Sequence, residues 1–256
     1  MVFRLDKKKI AQCFRRSLLT YDEAAIVQNE LAKRLLQSIR FLPKTAFQRV
    51  LEIGCCTGGL SDLLCEKKPV QILYLNDLVP DFEEVTLNRL RRHTSTQFIS
   101  CFGDIESVHF PSNLSLVLSG ATFQWLDDLP SFIGLLGRKL ESGAYLAFSI
   151  FGPGTLKEFS SLTSVELHYY SDDAIMSFIE KDFIVEACVN YDDQLFFPSV
   201  REILNHIRAT GVGGVSEYQW NKKVLKRFEK QYSAEFRCGK GLPVSYVSTC
   251  YVARRR

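Results

Sequence analysis

Three carboxylates, Glu52, Asp77 and Asp104, each close a short apolar run along the chain. Open α/β sheets bind their ligands at the C-terminal ends of parallel strands, where a carboxylate can accept from a ligand's hydroxyl, amino or ammonium groups. The first run continues into Glu52-Ile-Gly54-Cys55-Cys56-Thr57-Gly58-Gly59-Leu60, with a helical pattern after it. A glycine turn of this kind lets a ligand approach the backbone. A dinucleotide fingerprint needs glycine at 54, 56 and 59, the middle one so that the backbone can touch a pyrophosphate. Residue 56 is Cys, and Glu52 would repel a phosphate. S-adenosylmethionine carries no pyrophosphate, and its ammonium group suits Glu52. Asp77 is then placed to accept from both ribose hydroxyls, and Asp104 from the adenine amino group with Ile105 against the ring. Any one of these residues also reads as a turn or helix cap. Three on successive strand ends point to a cofactor site.

The elements that must position them follow from periodicity. Arg49–Gly54, Gln71–Asp77, Phe98–Asp104, Leu114–Gly120 and Gly143–Ile150 are apolar runs separated by helical stretches, the pattern of parallel strands buried on both faces. Phe183–Asp193 and Val244–Arg254 alternate more and suit a sheet edge. Ahead of them, Thr20 and Glu23 have capping-box spacing, and Val27, Leu31 and Leu35 recur every fourth residue up to a stop at Pro43. Two helical patterns, Ser199–Thr210 and Asn221–Tyr232, flank the loop Gly211-Val-Gly-Gly214. The expected architecture is one α/β, Rossmann-like domain over 1–256. It divides into N-terminal cap helices (1–42), a core (43–198), a cap insertion (199–243) and a last strand (244–256).

At 256 residues with 46% apolar and 24% charged side chains, the chain can bury one large core. A net charge of +3 gives no reason to expect nucleic acid as a partner. Cys13, Cys55, Cys56, Cys65, Cys101, Cys188, Cys238 and Cys250 include no Cys-x-x-Cys pair, and most lie in apolar runs. This favours free thiols in a reducing compartment and no metal. The opening Met-Val-Phe-Arg-Leu-Asp-Lys-Lys-Lys lacks a signal-length apolar stretch, and no run spans a bilayer, so a cytoplasmic protein without membrane partners is expected.

Further motifs are more specific. Phe14-Arg-Arg, Tyr21-Asp-Glu-Ala-Ala-Ile-Val-Gln28, Gly103-Asp-Ile-Glu106, Gln124-Trp125, Phe151-Gly-Pro-Gly-Thr-Leu-Lys157 and Arg208-Ala-Thr-Gly-Val212 run through nearly the whole chain. In these blocks the sequence resembles the malonyl-acyl-carrier-protein O-methyltransferases of early biotin synthesis. One departure is Cys56, where that family usually carries Gly. A neighbouring family, assembly factors of respiratory complex I, shares the Gln-Trp block. The resemblance implies a class I methyltransferase sheet of seven strands, six parallel and one antiparallel. It also implies methyl transfer from S-adenosylmethionine to the carboxylate of a malonyl thioester on acyl-carrier protein.

That chemistry sets its own demands. A carboxylate is already ionised at neutral pH, so no general base is needed, and an anion and a cation become two neutral products. A dry pocket with aligned reactants favours such a reaction. The four histidines, His93, His109, His168 and His206, form no base constellation. Tyr21 is the catalytic candidate, orienting the methyl or the carboxylate without acting as a base. The residues expected to hold the cofactor are Gln28, Glu52, Gly54, Cys55, Gly58, Asp77, Leu78, Asp104, Ile105 and Ser119. Phe123, Trp125 and Phe151, with Arg201 and Arg208 as carboxylate partners, are expected around the substrate. Phe148, nearby, reads as core.

Lys222, Lys223, Lys226 and Arg227, with Lys230 one turn further, form a basic run suited to an acidic carrier protein. Arg15 and Arg16 join it if the two cap segments meet. A monomer is expected. Two alternatives remain open: a methyltransferase of a small molecule such as a quinone or fatty acid, and a methyltransferase-like assembly factor without catalysis.

Overall fold

The structure is a computed structural model that describes residues 5–40, 42–163, 169–211 and 221–256. His168, Val212, Gly213 and Gly214 lie outside the described residues. Seven strands form one sheet: β1 (Phe47–Ile53), β2 (Val70–Asn76), β3 (Gln97–Ser100), β4 (Leu114–Gly120), β5 (Leu140–Phe151), β6 (Phe183–Phe197) and β7 (Leu242–Arg255). Their order is β3-β2-β1-β4-β5-β7-β6. β1 to β5 pair in parallel, and β7 runs antiparallel to both β5 and β6, so six strands share one direction.

The central strands are buried on both faces because they alternate two apolar sets, whereas the edge strands β3 and β6 are not; β7, expected at an edge, lies buried between β5 and β6. Tyr145, Ala147, Val252 and Cys250 join one core cluster, while Leu146, Phe148, Tyr251 and Ala253 join the other. Helices α3 (Ile26–Arg40) and α4 (Gly59–Lys67) cover the first face, and α6 (Leu129–Lys139) and α8 (Asp172–Ile179) the second. Helix α5 (Phe82–Leu90) follows β2, and α7 (Lys157–Thr163) follows β5.

The remaining helices lie in the segments expected to form caps: α1 (Lys7–Ser17), α2 (Tyr21–Ala24), α9 (Val200–Ala209) and α10 (Lys222–Phe236). Side-chain acceptors cap α1, α9 and α10 at Asp6, Ser199 and Asn221. The expected capping box at Thr20 does not form. Thr20 instead donates its hydroxyl to the carbonyls of Ser17 and Ala209, and the helix breaks at Ala25 (ψ 48°). Among the described residues, no helix is long and apolar enough to cross a membrane.

β3 is shorter than its apolar run. It stops at Ser100, and Gly103 turns at φ +127° with its N–H donating to the Asp77 carbonyl. Asp104 therefore sits in a turn beyond the strand, and Asp77 one residue past β2.

Candidate active site

Gly54 leaves β1 at φ +75°, and a Cβ built on it would stand 2.0 Å from the Thr122 Oγ1. Only glycine fits that approach. The N–H groups of Gly54 and Cys55 donate to the Asn76 carbonyl, at 2.8 and 2.9 Å, and fold the loop toward β2. The Asp77 carboxylate closes it by accepting from the N–H of Cys56 and of Val79, each at 2.9 Å. Cys56 holds φ +48°, a left-handed conformation that strains a residue with a Cβ. This is the position where glycine would fit without strain.

Burial pushes the Asp77 carboxyl up to about 6, against the pull of the Val79, Cys56 and Leu78 N–H groups. Glu52 is more extreme. It lies within β1 on the α4 face, receives the Ser61 hydroxyl, and burial raises it to about 8. Its carboxyl is thus engaged by α4, where an ammonium partner was expected. Burial also lifts the Cys55 and Cys56 thiols well above their ordinary range, so neither is a thiolate nucleophile.

The N-terminal segment crosses this edge and is tied to each loop in turn. Lys7 pairs with Asp104 and Glu106, and Glu106 also accepts from the N–H of Asp127 and Asp128. Burial disfavours the Lys7 ammonium, but Asp104 and Glu106 outweigh it and hold its pKa above the usual value. Arg15 Nε is 2.9 Å from Asp81. Asp22 accepts the Thr57 hydroxyl at 2.6 Å and pairs with Arg89. Phe14 packs edge-on against Trp125, with ring centroids 5.7 Å apart. Gly211, at φ +75°, leaves room for Phe14, whose Cδ1 would be 2.5 Å from a Cβ there.

Beneath this strap lies a partly open cavity lined by residues of α1, α2, α3, α9 and β7, among others. Tyr21, Gln28, Trp125 and Phe151 line it, together with Gln124 and Tyr246. The Tyr21 side chain lies beside Cys56, which links the cavity to the glycine loop, and burial raises the phenol well above its ordinary value. Gln28 Oε1 and Gln124 Oε1 are buried without a hydrogen-bond partner.

Several expected residues stand elsewhere. Phe123 is fully buried against Phe132 and Phe148 and does not line the cavity. Arg201 and Arg208 are exposed on α9, because Val200, Ile203 and His206 form its buried stripe. Ser119 donates to the Ile53 carbonyl at 2.9 Å and pins β4 to β1. Ile105 sits in the core cluster that includes Phe110, and Leu78 packs against Ile10 and Trp125. Sequence reasoning missed Lys7, Asp22, Thr155, Ile207, Thr210 and Tyr246. Of the histidines, His93 pairs with Asp62, His109 is exposed, and His206 is buried 2.8 Å from the Tyr246 hydroxyl.

Residues 51–148 match the family model described as a methyltransferase domain. Two solved structures share the fold. One is the N-methyltransferase NodS of Bradyrhizobium japonicum in complex with S-adenosyl-L-homocysteine (TM-score 0.51, 14% identity, covering 87% of this chain and 86% of that one). The other is the YcgJ protein of Bacillus subtilis (TM-score 0.58, 14% identity, 86% and 97%). Among curated relatives, the malonyl-[acyl-carrier protein] O-methyltransferase of Chlorobium phaeovibrioides is 36% identical over 98% of this chain and 97% of its own length. That of Haemophilus ducreyi is 31% identical over 95% of both. With that identity along nearly its full length, the chain belongs to the malonyl-[acyl-carrier protein] O-methyltransferase family.

Proposed function

We propose that the protein methylates the free carboxylate of malonyl-acyl-carrier protein with S-adenosylmethionine, giving a methyl ester for biotin synthesis, and that it acts as a cytoplasmic monomer. The observation that carries this reading is the cavity under the strap, which meets the glycine loop at Tyr21 and Cys56 and is walled by Phe14, Trp125 and Phe151.

The residues present fit the cofactor. The Gly54 turn leaves backbone exposed where a Cβ would collide, Asp77 is a buried acceptor at a strand end, and Gln28 presents an orphaned carbonyl. Asp77 would take the ribose hydroxyls, Asp104 the adenine amino group beside Lys7, and Glu52 the ammonium group after losing its proton. Gly58, Cys55, Leu78, Ile105 and Ser119 shape this edge without offering a charge. When bound, the cofactor supplies an electrophilic sulfonium methyl to a carboxylate oxygen, an anion and a cation becoming an ester and a thioether.

Tyr21 stays protonated and orients, since no proton must move. Phe14, Trp125 and Phe151 exclude water. The exposed face of α10, with Lys222, Lys223, Lys226, Arg227 and Lys230 around the buried Phe228 and Tyr232, is positioned to attract an acidic carrier. This patch favours a carrier-borne acceptor over a free small molecule.

The test uses methyl-labelled S-adenosylmethionine with malonyl-carrier protein and acetyl-carrier protein. Label should enter the malonyl form alone and leave in mild base, as an ester does. Label on the acetyl form, or base-stable label, contradicts the reading. No transfer at all favours a non-catalytic scaffold.

A further inference from the structure

The cavity poses an electrostatic problem for a carboxylate. No Lys, Arg or His is among the described residues that line it, and the two arginines expected there are exposed on α9. Lys7, on the strap above, is already committed to Asp104 and Glu106. The polar atoms that the cavity does offer include the negative ends of two amide dipoles. Gln124 is only 8% exposed, and its Nε2 donates to the Ala121 carbonyl at 2.6 Å, which leaves Oε1 as the free end. Gln28 Oε1 is orphaned in the same cavity.

An anion entering such a place loses its water shell and meets carbonyl oxygens, which strongly disfavours it unless a positive charge is supplied. A sulfonium has the opposite preference. It has no N–H to satisfy, and it is stabilised by carbonyl dipoles and by aromatic faces such as those of Tyr21, Phe14 and Trp125.

We infer that the acceptor's carboxylate finds its counter-charge in the bound cofactor and in none of the cavity's described side chains. The acid is therefore admitted only while the sulfonium is intact. Binding is ordered, with cofactor first. Transfer removes both charges together, so the ester and the thioether lose the attraction that held the reactants. The absence of a guanidinium clamp among the described lining residues also leaves the carboxylate oxygens free to react, since tight bidentate pairing would hold their lone pairs. The inference rests on the reading that the acceptor is a free carboxylate.

The experiment measures binding in the full chain. The protein is saturated either with sinefungin, which carries a protonated amine in place of the sulfonium methyl, or with S-adenosylhomocysteine, a neutral thioether. Labelled malonyl-carrier protein and malonamoyl-carrier protein, its neutral amide counterpart, are titrated into each complex by fluorescence anisotropy. The malonyl form should bind roughly tenfold or more tightly to the sinefungin complex, and the malonamoyl form should differ by less than about twofold. Equal malonyl affinity in both complexes overturns the inference and leaves methyl transfer to the acid standing. So does an equally large difference for the malonamoyl form, which would mark a response to shape. If the same preparation forms no malonyl methyl ester, the functional reading and the inference fall together.

Discussion

Lys7 Nζ lies 2.8 Å from both carboxylate oxygens of Asp104, joining the first helix of the strap to the turn after β3. The same ammonium pairs with Glu106, which holds the loop that leads to α6 through the N–H groups of Asp127 and Asp128. One side chain thus fastens the lid to the loops after two strands. Charge-assisted bonds in a partly buried setting are worth about 1–3 kcal/mol each. Lys7→Met should therefore loosen the strap and speed release of S-adenosylmethionine by roughly tenfold, read by stopped-flow displacement. An unchanged off-rate would separate the latch from cofactor retention.

Tyr21 and Cys56 test the join between cavity and loop. Tyr21→Phe removes the hydroxyl beside Cys56 and should lower kcat by about tenfold or more while the cofactor Kd moves less than about threefold. Full turnover in that variant would remove Tyr21 from the orienting role. At residue 56, glycine should be tolerated because it adopts φ +48° freely, whereas Cys56→Val should lose about 2 kcal/mol in chemical denaturation. Equal stability of the two variants would show that the loop does not impose its left-handed turn.

Glu52 gives a pH signature. Its folded carboxyl titrates at about 8, above its value in the unfolded chain, so the folded state holds a proton that the unfolded state releases. Glu52 costs nothing while both states are protonated, and its penalty on stability grows as pH rises toward about 8. Glu52→Gln does not titrate, so its advantage over the wild-type protein should widen by ~2–4 kcal/mol between about pH 5 and about pH 8. A gap independent of pH contradicts the buried proton. The same variant should bind S-adenosylmethionine more weakly, and the wild-type protein should release a proton on binding it, seen as a buffer-dependent heat.

The expected carrier surface separates two substrates. Lys222→Glu with Lys226→Glu should cut kcat/KM for malonyl-carrier protein by about tenfold at low salt and leave malonyl-coenzyme A within about twofold. Arg201→Ala and Arg208→Ala should leave turnover of malonyl-coenzyme A unchanged, since both side chains are exposed and off the cavity. A matched loss on both substrates after the α10 reversal would mean a damaged cap, not a lost docking face.

The sheet was legible because burial on both faces turns parallel strands such as β1, β4 and β5 into apolar runs, while β6 alternates as an edge strand; β7, expected at an edge, is instead buried between β5 and β6, and β3, expected to be buried, is the opposite edge. The overrun at Phe98–Asp104 arose because the turn residues Cys101 and Phe102 continue the apolar texture past the last ladder pair, Leu75 with Ser100. Strand-end carboxylates were visible for the same reason as the strands. The other half of the cavity was not. Thr155, Ile207 and Tyr246 come together only when α7, α9 and β7 fold under the strap, and nothing in their local sequence encodes that meeting. Arg208 looked like a carboxylate partner from residue type alone, while Ile203 and His206 set the inward face of α9. Phe123 and Trp125 are two residues apart in one 3-10 turn, so they face different ways: Phe123 into the core and Trp125 toward Phe14.

Calorimetric titration of S-adenosylmethionine into the wild-type protein and Asp77→Asn addresses the cofactor site itself. The wild-type protein should take up one equivalent, and the amide should weaken binding by roughly tenfold or more, because Asp77 closes the glycine loop through the Cys56 N–H and is the acceptor proposed for the ribose. Absence of binding heat in the wild-type protein over a range of temperatures, or equal affinity in the two proteins, would contradict a cofactor held on the carboxylate edge of this sheet.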